Sequence, residues 1–159
     1  MSTTPPAARG DIALPRTFRP RKARLVVYPI AALVFLVLLG CAIALPYDGP
    51  GAWGPGSRLG LVAVGAVVAW FLHRLAAVRL HAEESGVEVV NIFVRTQLAW
   101  PQIVDVRLSR DDPWVLLDLS DGETLAVMGI QKTDGARADR DARMLARLVV
   151  DHSTVDHDG

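Results

Sequence analysis

The hydrophobic positions divide the chain into three textures. From Leu25 to Leu45 it runs 21 residues without a charge. At ~1.5 Å per residue that is a helix of about 31 Å, the thickness of a bilayer core. Pro29 falls in its first turn, where a missing N–H costs little. A second apolar run, LGLVAVGAVVAWFL, occupies Leu59 to Leu72. Extended from Ser57 through Ala77 it is long enough to span, with His73 and Arg74 at the interface, Arg74 snorkelling and Trp70 in the headgroup belt. Two such runs back to back argue against the alternative of a buried soluble helix. Between them, Tyr47 to Gly56 is rich in Gly and Pro and nearly uncharged, which suits a tight hairpin turn.

From Arg79 the pattern shortens. VRLHA, GVEVVNIFV, QLAW, IVDVRL, WVLLDLS and TLAVMGI read as strands, rich in Val, Ile, Leu and Trp. Turns are expected at Glu84-Ser85-Gly86, Arg95-Thr96, Ser109 to Pro113 and Ser120-Asp121-Gly122, the last a hairpin signal. In IVDVRL the alternation points Ile103, Val104 or Val106, and Leu108 inward, with Asp105 and Arg107 outward.

The period then lengthens to that of a helix. Ala138, Ala142, Leu145 and Val149, widened by Met144 and Leu148, form an apolar stripe. Arg140, Asp141, Arg143 and Arg147 lie opposite. Asp139 and Arg143 have the favourable i,i+4 order, and Thr133 or Asp134 can cap the start. Residues 153–159 read as a frayed polar tail.

Charge adds an orientation. The chain is 51% hydrophobic with mean hydropathy +0.29 and zero formal net charge. Residues 1–24 nevertheless hold six basic groups and one acid, whereas residues 80–152 hold eight basic and thirteen acidic groups. Basic residues flank the outer ends of the two spans (Arg74 and Arg79 after the second), and the connecting loop offers only Arg58. The positive-inside rule puts both termini in the cytoplasm of a multi-pass protein of the cytoplasmic membrane.

Cys41, the sole cysteine, leaves three readings open. Leu38-Leu39-Gly40-Cys41 looks like a lipobox, and Ala42-Ile43-Ala44 looks like a signal-peptidase site. Against both, the basic segment and the apolar run are long for a signal, and the sequence after Cys41 stays apolar. A small residue packed in a retained helix is the third reading. Gly40-xxx-Ala44 and Gly56-xxx-Gly60 permit close helix contact, between the two spans or between copies of the chain.

The run GVEVVNIFVRTQLAWPQIVDVRL, with its Leu98-Ala99-Trp100-Pro101-Gln102-Ile103 segment, resembles the bacterial pleckstrin-homology (PH)-like domain. Over about residues 25–150 the chain resembles small actinobacterial membrane proteins with two spans and such a domain, the family of the mycobacterial low-molecular-weight protein antigen. That resemblance implies an α+β fold: a two-helix transmembrane hairpin followed by a PH-like antiparallel β-barrel of about 6–7 strands, capped by a C-terminal helix. The expected layout is a disordered basic tail over 1–24, the hairpin over 25–78 (spans about 25–45 and 57–77), the PH-like domain over 79–152 and a disordered tail over 153–159.

The motifs of catalysis are missing. His73, His81, His152 and His157 are scattered, no Cys or carboxylate stands at metal-ligand spacing, and there is no P-loop, GxSxG or GxGxxG. Asp111-Asp112 and Asp118 to Glu123 fall in turns, and Trp100 and Trp114 read as core aromatics. No enzyme, cofactor or metal is expected. The acidic balance of the domain excludes nucleic acid and disfavours a phosphoinositide-binding first hairpin, which carries Glu83, Glu84 and Glu88. One basic concentration stands out: Arg137, Arg140, Arg143 and Arg147 on the final helix. The expected function is a membrane-anchored interaction module that binds an unidentified protein, with self-association open. The alternative is a lipid-headgroup or small-ligand domain that uses the arginine face.

Overall fold

A computed structural model describes residues 13–109 and 111–155, with side chains to 153. The chain opens with a short strand β1 (Arg16–Phe18) and enters helix α1 (Arg21–Ala44). It turns back through α2 (Pro55–Ala76). The strands β2 (Arg79–Glu83), β3 (Gly86–Val90) and β4 (Arg95–Leu98) follow. A 3-10 turn at Trp100–Gln102 leads into β5 (Ile103–Arg107), β6 (Trp114–Leu119) and β7 (Thr124–Gln131). A second 3-10 turn at Lys132–Asp134 precedes α3 (Ala136–Val155).

Both long helices are apolar enough to cross a bilayer, and only 11% of each apolar window is buried. Their apolar surface is thus left largely uncovered by the rest of the described chain, whereas the core helix of a soluble domain hides most of its own. Leu33, Leu36, Val64 and Val67 all stand exposed. The seam between the helices runs through buried Ala31, Ala42 and Gly65, the last packed against Phe35 and Leu38. Gly40, Gly56 and Gly60 lie off that seam, with no neighbour where a Cβ would sit. Helix–helix packing within the chain therefore does not account for the two small-xxx-small spacings.

Arg58 closes the far end of this hairpin. Its guanidinium donates to the carbonyls of Ala42 (2.6 Å), Leu45 and Pro46 (2.9 Å), and its Nε to Trp53 (3.0 Å). It also stacks 3.5 Å from the ring centroid of Tyr47. The last carbonyls of α1 have no partner within their own helix, and this one side chain supplies several.

The strands form two antiparallel sheets, β1-β2-β3-β4 and β5-β6-β7. They do not close into a barrel. β7 instead packs across β2 and β3 without joining their ladder. Gly129 makes that crossing possible: a Cβ there would sit 2.7 Å from the amide nitrogen of Leu80. Between the sheets lie Leu80, Val89, Val115, Leu117 and Val127, all at most 1% exposed. Leu145 and Leu148 of α3 cover them, and Ala138 and Val149 extend the same buried stripe. Each large apolar side chain buried here contributes about 1.5–3 kcal/mol.

Several local expectations give way. The basic segment over 1–24 is not a disordered tail in its described part: β1 pairs with β2 (Phe18 opposite Leu80), and Phe18 is 2% exposed in the core. Residues 1–12 lie outside the described residues. The segment expected as a tail over 153–159 is helical in its described part, since α3 continues to Val155; residues 156–159 are likewise outside. GVEVVNIFV is not one strand. It ends at Val90, and Asn91 to Val94 turn the chain, with the Asn91 amide donating to the Val94 carbonyl at 2.9 Å. Arg95-Thr96 is accordingly strand, not turn. In β5 a register shift between Ile103 and Asp105 leaves Val104 exposed and turns Val106 inward.

Asp134 caps a helix, but not the adjacent one. Its carboxylate accepts the backbone N–H of Arg21 and of Lys22, both at 3.0 Å, at the start of α1. The first helix and the β domain are thereby tied together by a cap drawn from the other end of the sequence.

Candidate functional site

α3 presents its apolar stripe to the sheets and its arginines elsewhere. The four predicted positions do not act as one cluster. Arg137 is half-buried and its Nε lies 3.4 Å from Asp141, one turn on. This pair replaces the expected Asp139–Arg143 one. Arg140, Arg143 and Arg147 are exposed, and their guanidinium groups make no ion pair among the described residues. They follow one helix face at spacings of three and four.

The ends of α3 set where that face points. Its start follows Asp134, which holds α1. Its last turns reach Trp100, where the His152 ring stacks on the indole at 4.8 Å between centroids. His152 Nδ1 donates to the Leu148 carbonyl (2.9 Å), so the ring is locked within the helix and is no part of a tail. Trp100 is 3% exposed, as expected of a core aromatic. Its Nε1 donates to the carbonyls of Glu83 (3.0 Å) and Glu84 (3.1 Å) in the β2–β3 turn. That turn is the end of the sheet away from α2. The arginine face therefore runs from the helical hairpin toward the opposite pole of the domain.

A second feature escaped the sequence. β4 is the last strand of its sheet, and among the described residues no strand pairs with its outer edge. Hydrogen bonding alternates along an antiparallel pair. Since Asn91 bonds Val94, the backbone groups of Thr96 and Leu98 point to β3, and those of Arg95 and Gln97 point outward. The strand ends in a shallow groove bordered by Glu83, Ser85, Glu88, Gln97 and Leu98. Gly86 keeps this corner closed, because at φ +153° a Cβ would collide with the Leu98 carbonyl. Glu88 is partly balanced by Arg95 at 3.3 Å, and Glu83 lies 3.2 Å from His81 Nε2. The groove is acidic and open, next to unpaired strand backbone.

Two further acids serve the fold. Asp118 accepts from Arg107 (2.6 Å) and Thr124 (3.0 Å), and Asp121 accepts the Glu123 amide in the β6–β7 turn (2.9 Å). Among the described residues, no three His, Cys, Asp or Glu side chains gather as metal ligands would.

Residues 77–148 match the model of the bacterial PH domain family. Such domains are in general non-catalytic and serve protein or lipid interaction. The chain is also similar to an uncharacterised protein of Mycobacterium tuberculosis strain H37Rv and to counterparts in M. tuberculosis strain CDC 1551 and Mycobacterium bovis. Each is 26% identical over 121 residues, 76% of this chain and 79% of theirs. That stretch is longer than everything from residue 77 onward, so the similarity reaches back into the helical hairpin. No solved structure matches the chain. Two open sheets with a covering C-terminal helix, together with these matches, identify residues 77–148 as a bacterial PH-like domain, carried on a hairpin of two long apolar helices.

Proposed function

We propose that this protein is a non-enzymatic module held in the cytoplasmic membrane by α1 and α2, whose PH-like domain receives a protein segment at the inner leaflet. The observation that carries this reading is the unpaired outer edge of β4 beside the acidic groove. An incoming extended segment finds outward N–H and C=O groups at Arg95 and Gln97, and Glu83 and Glu88 favour basic side chains on it. The groove lies at the pole away from the hairpin, where a cytosolic partner has access. The charge bias of the flanking segments supports cytoplasmic termini.

The test is a photo-crosslinking amino acid at exposed Gln97 in the full chain in cells. A discrete protein adduct is expected, and its mass separates a foreign partner from a second copy. A Gln97→Pro chain removes one outward N–H and keeps the β3–β4 ladder, so it should stay folded and lose the partner. A folded Gln97→Pro chain that still forms the same complex overturns the edge-strand reading. The second reading, binding of a lipid headgroup or small anion by the arginine face, has one supporting observation: Arg140, Arg143 and Arg147 are exposed and make no ion pair among the described residues. It requires anionic-lipid retention that falls when all three become Glu.

A further inference from the structure

Turn tips are ordinarily built from Gly, Asn, Asp, Ser or Pro, which meet the backbone demands of a reversal and keep it hydrated. The β2–β3 turn obeys, with Glu84-Ser85-Gly86, and so does the β6–β7 turn, with Ser120-Asp121-Gly122. The β3–β4 turn does not. Its tip is Ile92-Phe93 followed by Val94, and Phe93 is 66% and Val94 60% exposed. An apolar tip left in water serves neither the turn nor the core. We infer that the β3–β4 tip is a membrane wedge: Phe93 and Val94 insert into the lipid leaflet beside α2 and fix the tilt of the PH-like domain on the bilayer surface.

Position supports the lipid surface as the occupant. The ring of Phe93 lies 6.0 Å from that of Phe71, which belongs to α2 itself. Phe71 stands five residues before the helix ends at Ala76, about 7 Å inside that end. The tip also projects about 7–10 Å beyond Val90, at about 3.3 Å per residue. Arg79, Val90 and Arg95 form one row across the sheet, so two basic residues stand at the base of the apolar tip, Arg95 also pairing with Glu88 at 3.3 Å. That order, apolar below and cationic above, matches hydrocarbon and phosphate in an anionic leaflet.

The tip is also held stiffly. Asn91 at its base donates from Nδ2 to the Ala126 carbonyl (2.8 Å) and accepts the Met128 amide at Oδ1 (3.2 Å). Both partners lie on β7, so the wedge is braced by the second sheet. A wedge on a rigid base transmits its insertion to the whole domain.

The inference rests on the hairpin lying in a bilayer, and the test separates the two. In a Cys41→Ser background, single cysteines replace Phe93, Val67 in the middle of α2, or Ser85 at the opposite turn. Each is labelled with bimane in the full chain, in nanodiscs of phosphatidylcholine and phosphatidylglycerol. Lipid-attached nitroxides are expected to quench positions 67 and 93 several-fold more than position 85. Quenching at 67 but not at 93 overturns the wedge and leaves the hairpin in place. Absence of quenching at 67 overturns both. A label at 93 shielded from lipid nitroxide and aqueous iodide alike means protein covers the tip, which also overturns the inference.

Discussion

Asp134 offers the sharpest test of how domain and hairpin are joined. A helix leaves its first amides without intrahelical partners, and here the N-cap is Pro20, whose side chain has no acceptor to offer. The Arg21 and Lys22 amides are satisfied by Asp134 alone. Replacing an N-cap by alanine costs about 0.5–2 kcal/mol. Hydrogen bonds to a charged group contribute about 1.5–3 kcal/mol each. Asp134 is half-buried and water can partly replace it, so the low end applies, about 1–2 kcal/mol. That corresponds to roughly 5–30-fold faster exchange of these two amides. The assay is amide hydrogen exchange by NMR on the full chain in nanodiscs, comparing Asp134→Ala and Asp134→Asn with the parent. Alanine should release both amides. Asparagine keeps one acceptor oxygen and should release one. If both amides exchange at the parental rate in the alanine chain, the cap is not what holds α1 to the domain.

Three further outcomes follow from the same packing. Phe18→Ala should cost about 3–5 kcal/mol, as for other buried aromatics, read by urea unfolding of the full chain in nanodiscs with intrinsic tryptophan fluorescence; a loss under ~1 kcal/mol would show that β1 is dispensable. Gly129→Val should lower stability by about 1–3 kcal/mol or prevent folding, since its side chain meets the β2 backbone; a circular-dichroism melt with an unchanged Tm contradicts the close crossing. Arg58→Ala should open the far end of the hairpin at a cost of about 2–3 kcal/mol, seen as a longer donor–acceptor distance between labels at Leu36 and Val64, and Arg58→Lys should rescue it poorly because an ammonium cannot hold several carbonyls in one plane.

Much of the architecture is legible along the chain because it rests on local periodicity. Twenty-one uncharged residues announce α1, and the stripe from Ala138 to Val149 announces α3. What stays hidden depends on residues far apart. β1 is three residues long, too short to show alternation, and it becomes a strand only because α1 and α2 carry it back to β2. Asp134 fits a local cap pattern, and only the assembled fold shows that it faces Arg21 and Lys22. The arginines of α3 could be listed as an exposed face, but the pairing of Arg137 with Asp141 depends on which way the side chains lean. The open edge of β4 is a property of sheet order, which no single segment encodes. Ile92-Phe93-Val94 misleads for a different reason: an apolar tip has the composition of a strand, and the departure from turn chemistry is itself the functional signal.

The pairing of β1 with β2 bears on Cys41. A lipobox has meaning only if everything before the cysteine can be discarded. Here the chain before Cys41 supplies Phe18 to the core, an edge strand to the larger sheet and the amides that Asp134 holds. Cleavage at Cys41 would strip the domain of all three. The pairing also constrains the membrane path. Strands that hydrogen-bond to each other must lie on the same side of a bilayer, so the chain between Phe18 and Leu80 crosses an even number of times. Two crossings, one by each apolar helix, would meet that condition and agree with the charge bias. The run Leu38-Leu39-Gly40-Cys41 lies within α1, with Cys41 exposed.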